Sequence, residues 1–153
     1  MMADVDGWTS LGAKRVLEYA FRRTWDGGAA PSHFYIALVE EDGGAFDPDW
    51  ETMAELTELS GNGYARFELD PNSTDFDALE KSDASDWAYI QIINSLFTAS
   101  GGAMADIAGA VLIDDGVGEA AEVYYFWDVV NATVNDGAIY QLEDLEMKID
   151  CVA

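Results

Sequence analysis

The spacing of apolar residues changes once along the chain, from a helical period to a strand period. Residues 9–24 predict an amphipathic helix, because their apolar positions repeat every three or four residues. The members of this stripe, which we expect to face the core, are Ala13, Val16, Leu17, Ala20 and Phe21. Thr9 or Ser10 is suited to cap the first turn, and the glycines of "WDGG" followed by Pro31 end the helix.

After Pro31 the pattern changes to short runs rich in aromatic and β-branched residues, which are typical of strands. The segments 64–69 and 145–151 also alternate between apolar and polar positions. Seven short strands are predicted, each rich in β-branched or aromatic residues and bounded by Gly- and Asp-rich turns. They lie at 33–39, 64–69, 87–94, 107–113, 122–130, 138–142 and 145–151. The strand at 122–130 is aromatic on both faces, so we expect both faces to be covered. The polar stretch 70–86 predicts a long loop.

One helix followed by about seven short strands predicts a mainly β fold. We expect an antiparallel β-sandwich or a partly closed barrel, with the N-terminal α-helix against one face or edge. A length of 153 residues suits one domain with its own core. Residues 1–153 are therefore predicted to form a single domain, with the helix at about 9–24 and the β part at about 33–151.

The chain is strongly acidic, with 30 acidic and 7 basic residues and a formal charge of -23. This charge argues against nucleic acid or an anionic membrane as a partner. The sequence has no run of 18 apolar residues that predicts a membrane span, and its first residues lack the basic segment of a signal peptide. Asp outnumbers Glu 18 to 12, and only three lysines are present. A salty habitat is one interpretation, since salt screens self-repulsion, and an ordinary acidic surface is the other.

The sequence contains few residues that are suited to catalysis. Cys151, the single cysteine, is at an inward position of the last predicted strand, which favours a buried structural thiol over a reactive one. His33 is the single histidine, so we predict no histidine-based metal cluster and place it at the surface or a strand edge. The sequence predicts no enzyme, no catalytic residue, no cofactor and no metal.

Two acidic loops and two sequons are candidate binding or modification sites. The Asp-rich segments 47–51 and 114–119 offer oxygen ligands for calcium but lack EF-hand spacing, so solvated loops are favoured. Asn72 and Asn131 each begin an N-glycosylation triplet, which matters only if the host glycosylates its surface proteins.

Basic residues concentrate on the predicted helix. Four of the seven are Lys14, Arg15, Arg22 and Arg23, which we expect on or near its solvent side. An ordinary solvated face is one interpretation. The other is a docking surface for an acidic partner, which gains weight because the rest of the chain is so negative.

The stretch "LSGNGYARFEL" (59–69) combines a turn with a short strand. Gly61, Asn62 and Gly63 tolerate positive φ, so the chain can reverse direction there. In the strand that follows, Arg66 lies on the polar side by alternation.

The order of these segments resembles a family of small virion proteins of tailed phages, described as tail-fibre-like or head-decoration proteins. The element "SGNGYAR" is the most specific match. The matching segments are "AKRVLEYAF" (13–21), "APSHFYIALVEED" (30–42), "LTELSGNGYARFEL" (56–69), "ASDWAYIQIINSLFTASGG" (84–102) and "VVNATVNDGAIYQLEDLEMKID" (129–150). The acidic loop 43–55 is longer than the family pattern, and the segment after Gly102 differs from it.

The resemblance implies a structural protein of a tailed virus particle, made in the host cytoplasm and located in the virion. A capsid decoration or cement protein is the leading interpretation, with the major capsid protein as partner and homo-oligomers in the particle. A tail or fibre component is the alternative. A carbohydrate-binding β-sandwich, with Trp50 and Trp87 stacking on sugars, is a third. Arg66 matches the family's usual arginine, which we expect to pair with nearby carboxylates or a neighbouring subunit, and the candidate partner-binding residues are Lys14, Arg15, Arg22, Arg23 and Arg66.

Overall fold

The computed structural model describes residues 6–22, 24–82, 84 and 87–150. Its strands are β1 (Gly7–Trp8), β2 (Phe34–Val39), β3 (Phe67–Leu69), β4 (Phe76–Ser82), β5 (Trp87–Ile92), β6 (Ser95–Thr98), β7 (Met104–Ile113), β8 (Val123–Val134), β9 (Ile139–Leu142) and β10 (Glu146–Asp150). The α-helix is α1 (Ser10–Arg22), and Met53–Glu55 forms one 3₁₀ turn. The predicted helix is confirmed over Ser10–Arg22.

The strands form three antiparallel sheets. The largest has five strands in the order β1-β8-β7-β2-β3, and its long central hairpin β7–β8 brings Val111 opposite Phe126. A three-stranded sheet has the order β10-β5-β4, and β6 pairs with β9 in a two-stranded sheet. The fold is an antiparallel sandwich-like arrangement and not a closed barrel, so the mainly β prediction is confirmed in its sandwich form.

Two hydrophobic layers cover the five-stranded sheet. On one side, residues such as Leu38 and Leu112 pack against Ile92 and Met147 of the three-stranded sheet. On the other side, Val39, Val111 and Phe126 lie beneath Trp50 and Met53 of the loop after β2. The expectation that the aromatic strand β8 is covered on both faces is confirmed.

Three strands were missed by the sequence prediction, which gave about seven where the described residues form ten. The clearest case is β4, inside the stretch 70–86 that we predicted to be a loop. Its residues are mostly exposed, and it is an outer strand of its sheet, so no alternating apolar pattern marks it. The last strand also differs from the prediction, because Ile149 is 51% exposed although alternation placed it inward with Met147.

Helix α1 begins at a side-chain cap and packs closely on β8. Thr9 is buried, and its hydroxyl oxygen accepts a hydrogen bond from the Gly12 amide at 2.9 Å while donating to the carbonyl of Val123. A Cβ placed on Gly12 would lie 2.1 Å from the carbonyl oxygen of Tyr124. The helix therefore touches the sheet at a position that only glycine allows.

Candidate functional site

Arg15 lies on the buried side of α1, not on the predicted solvent face. It is 3% exposed, and its guanidinium binds Glu122 through Nη2–Oε1 at 2.6 Å and Nε–Oε2 at 3.0 Å. The same group donates to Glu18 at 3.0 Å and lies 3.3 Å from a carboxylate oxygen of Asp26. Arg15 is therefore occupied inside the fold, and its placement on an exposed docking surface is wrong.

This ion pair shifts the titration of its members. The hydrogen bond to Glu122 raises the pKa of Arg15 despite the opposing effect of burial. Burial pushes the pKa of Glu122 up, but hydrogen bonds from Arg15 and Tyr124 outweigh burial and hold that pKa below its ordinary value. Both groups stay charged at neutral pH, so the pair is an electrostatic link between α1 and β8.

The apolar stripe of α1 is divided between two sides of the helix, so the prediction that it faces the core as a whole is wrong. Leu17 lies on the outer side, whereas Val16 and Ala20 line a cleft on the inner side. The side chain of Phe21 lies outside the described part of the chain. Leu17 is 58% exposed and Ala20 is exposed, whereas Gly12 and Arg15 are buried. The surface around Leu17 is a shallow depression that we call the outer helix face, and it is lined by Ser10, Ala13, Lys14, Leu17, Glu18 and Arg22. Lys14 and Arg22 are exposed there, and Lys14 lies 3.7 Å from Glu18.

On its inner side, the part of the helix that follows Gly12 does not pack closely against the strands. A partly open cleft of about 260 Å³ lies there, and Val16, Tyr19 and Ala20 line its helix side. Its other walls are mainly aromatic, and include Trp8, Trp25, Phe34, Phe76 and Tyr124. The contact at Gly12 and the Arg15 ion pair, rather than the apolar stripe, thus decide which side of α1 faces the sheet.

Arg66 is also buried by its partners. Its side chain is 5% exposed and binds Glu58 at two points, Nε–Oε1 at 2.8 Å and Nη2–Oε2 at 2.7 Å. It further donates to the backbone carbonyls of Asp115 and Gly118, each at 2.8 Å. The expectation that Arg66 pairs with a nearby carboxylate is confirmed. The residue joins the segment before β3 to the loop between β7 and β8, and it offers little surface to a partner.

The turn before Arg66 has the predicted conformation. Gly61, Asn62 and Gly63 have φ values of 72°, 51° and 78°. The Asn62 side chain donates to the carbonyl of Ala103 at 2.6 Å, and the Tyr64 hydroxyl donates to Glu58 at 2.8 Å. The "SGNGYAR" element is therefore a structural unit that connects three parts of the chain.

Three side chains that can ligate a metal ion lie together where the start of β2 meets the end of β3. The sequence prediction did not identify this group. His33 Nδ1 is 2.8 Å from Asp70 Oδ1 and 3.8 Å from Glu68 Oε1. These three residues are partly or fully exposed, and they are the group in the described part of the chain whose atoms are close enough to share a metal ion. The pairing of β2 with β3 brings the three residues together, and their spacing in the sequence does not predict this proximity.

The Asp-rich loops use their carboxylates as turn acceptors. Asp47 accepts from the Asp49 amide at 2.9 Å, and Asp115 accepts from the Val117 amide at 3.1 Å. Both sequon asparagines are exposed, and Asn72 accepts from the Thr74 amide of its own triplet at 2.8 Å. These contacts support the interpretation of both segments as solvated loops.

The two tryptophans considered for sugar stacking differ in position. Trp50 is buried between Phe46 and Phe126, so its expected exposure is wrong. Trp87 is half-buried on β5, with Tyr89 at 4.8 Å between ring centroids and the Lys148 ammonium 5.3 Å from its ring centroid.

Two predicted positions, Arg23 and Cys151, lie outside the described residues. Within the described ranges, no helix is both long enough and apolar enough to span a membrane. No protein-family model matches the sequence, and no curated protein matches it significantly.

Proposed function

We propose that this chain is a structural component of a tailed virus particle, a decoration or cement protein that binds the assembled shell through its outer helix face. The virion role is supported by the resemblance of five ordered segments to small virion proteins. The most specific of these, "SGNGYAR", supplies the Asn62, Tyr64 and Arg66 contacts that hold three loops together. The resemblance thus lies in residues that build the fold.

The observation that carries the docking proposal is the orientation of α1. Leu17 of its apolar stripe is turned to solvent while Arg15 is turned inward, which is the reverse of what a helix that only covers a core shows at these two positions. An exposed apolar surface rimmed by polar residues is a mark of an interaction site. Leu17 at its centre is therefore the anchor of the proposed contact.

Charge favours an acidic surface as the partner. Lys14 and Arg22 border Leu17 in a chain whose formal charge is -23. An exposed ion pair contributes only ~0–1 kcal/mol, so these two cations bind weakly in one subunit. Repetition over a symmetric shell, together with contacts between copies of the chain, multiplies weak contacts into stable attachment.

Incorporation into particles tests the proposal. Leu17→Asp and the double variant Lys14→Glu/Arg22→Glu are expected to fold, by circular dichroism, and to bind purified shells at least about tenfold less than the natural chain in sedimentation. Matched controls are Val117→Asp and Lys148→Glu, exposed positions away from α1. Normal binding of both test variants contradicts docking through this face.

In the tail or fibre alternative the protein binds through the same surface, but its binding partner is the tail and not the head of the particle. Sedimentation with separated heads and tails distinguishes the two, because a fibre component binds the tail fraction only. The carbohydrate-binding interpretation is weakened, because Trp50, one of the two tryptophans proposed to stack on sugars, is buried.

A further inference from the structure

His33, Glu68 and Asp70 share one side of the β2–β3 pair. The register sets Tyr35 opposite Glu68 and Phe34 opposite Leu69. Continuing this register sets His33 opposite Asp70, and alternation then turns His33, Tyr35, Glu68 and Asp70 to the same side. The histidine therefore lies beside the two carboxylates, although each carboxylate is 35 or more positions from it in the sequence.

The distances suit a shared metal ion. Two ligand atoms of a tetrahedral zinc site lie ~3.3 Å apart, given ligand distances of about 2.0–2.1 Å. The separations of His33 Nδ1 from Asp70 Oδ1 and Glu68 Oε1, 2.8 Å and 3.8 Å, fall on either side of that value. All three ligand atoms lie within 4.8 Å of one another. Small rotations of these exposed side chains can therefore bring the three atoms to the distances that one shared metal ion requires.

Glu68 is already oriented for this role. The Tyr35 hydroxyl donates to Glu68 Oε2 at 3.0 Å, which leaves Oε1 directed toward His33. A hydrogen bond of this kind fixes the orientation of a ligating carboxylate and supports metal affinity. The combination of this hydrogen bond with a nearby imidazole distinguishes the group from the other exposed carboxylates among the described residues.

We propose that His33, Glu68 and Asp70 form a binding site for a divalent transition-metal ion, with Zn²⁺ as its representative. The imidazole ligand selects such ions over Ca²⁺ and Mg²⁺, which prefer oxygen ligands. Nδ1 is the ligand atom, and the neutral imidazole then carries its proton on Nε2. Three protein ligands leave a coordination position open to water or to a group from a partner. This proposal is independent of the proposed virion role.

Zn²⁺ titration of the untagged full-length chain tests the site. Cys151 is replaced by Ser throughout, so that the thiol does not bind zinc, and high NaCl screens diffuse binding to the acidic surface. We expect saturable binding of one Zn²⁺ per chain by calorimetry. The ring resonances of His33, the single histidine, are expected to shift in step with that binding.

Variants assign the binding to these residues. His33→Ala and Asp70→Asn are expected to weaken Zn²⁺ binding by at least ~10–100-fold, and Tyr35→Phe by about tenfold. The matched controls are Tyr89→Phe and Glu80→Gln, because Tyr89 donates to Glu80 at 3.1 Å in a second exposed Tyr–Glu pair. Circular dichroism checks that each variant folds. Unsaturable binding, equal affinity in His33→Ala, or equal displacement of Zn²⁺ by Ca²⁺ overturns the proposal.

Discussion

The guanidinium of Arg15 and the carboxylate of Glu122 form a two-point ion pair that joins α1 to the start of β8. The two hydrogen bonds measure 2.6 Å and 3.0 Å, and the Tyr124 hydroxyl donates to the same carboxylate at 2.8 Å. Because Arg15 is almost fully buried, removing either partner leaves a poorly solvated charge.

We expect Arg15→Met to lower the free energy of unfolding by about 3 kcal/mol, near the lower end for breaking a buried ion pair, because Glu122 keeps some solvent contact. Urea denaturation measures the loss. The double variant Arg15→Met/Glu122→Gln is expected to recover part of it, since Glu122 is then neutral, Glu18 keeps its pair with Lys14, and Asp26 is exposed to solvent. Lys14→Met removes only the exposed pair with Glu18 and serves as the control. Equal stability of Arg15→Met and the natural chain contradicts the structural role of the pair.

Two substitutions on opposite sides of α1 test its orientation. Gly12→Ala is expected to destabilise the fold by about 3 kcal/mol or more, because its Cβ meets the Tyr124 carbonyl at 2.1 Å. Leu17→Asp on the outer helix face is expected to cost less than about 1 kcal/mol. Thermal unfolding ranks the two variants. Unfolding caused by Leu17→Asp would show that Leu17 faces the core after all.

Alkaline pH is expected to destabilise the protein. Burial, with the nearby Glu58 charge, raises the pKa of Tyr64, and burial together with the Glu122 hydrogen bond raises that of Tyr124. Each tyrosine stays neutral in the folded state while its unfolded form ionises near pH ~10. Stability present below that pH is therefore lost above it, at ~1.4 kcal/mol per pH unit for each group. Urea denaturation at a series of pH values measures the slope, which Tyr64→Phe should reduce. An unchanged slope in Tyr64→Phe contradicts this assignment.

Salt is expected to stabilise the fold. With a formal charge of -23, repulsion between surface carboxylates opposes folding when few counterions are present. The melting temperature should rise markedly between low and molar NaCl in a calorimetric series. A flat response would remove the interpretation of a salt-adapted surface and leave the proposed attachment unaffected.

Much of the fold was predictable because buried strands appear in the sequence as short runs rich in apolar, β-branched and aromatic residues. The segments that became β2, β7 and β8 were identified correctly. The pairing of Arg66 with a carboxylate was one of the two alternatives expected for the arginine of the resembling family. The outer strand β4 was missed because an exposed edge leaves no apolar signature.

The orientation of α1 could not be predicted from its periodicity. An apolar stripe predicts which side is buried only when apolar contacts decide the packing. Here the close approach at Gly12 and the partner of Arg15, which is 107 positions distant, decide it. The His33 group was missed for the same reason. His33 meets Glu68 and Asp70 only through the register of two strands, and sequence alone does not give that register.

The position of the chain in an intact particle tests the central proposal most directly. Antibodies raised against the purified protein, with gold labels, are applied to tailed particles from the source of the sequence and viewed by electron microscopy. We expect gold over the surface of the heads, repeated in many copies per particle, and none on particles treated with antibody that has been absorbed with the protein. Gold confined to tails or fibres would favour the alternative location, and particles without gold, when the antibody detects the protein in infected cells, would contradict a virion role.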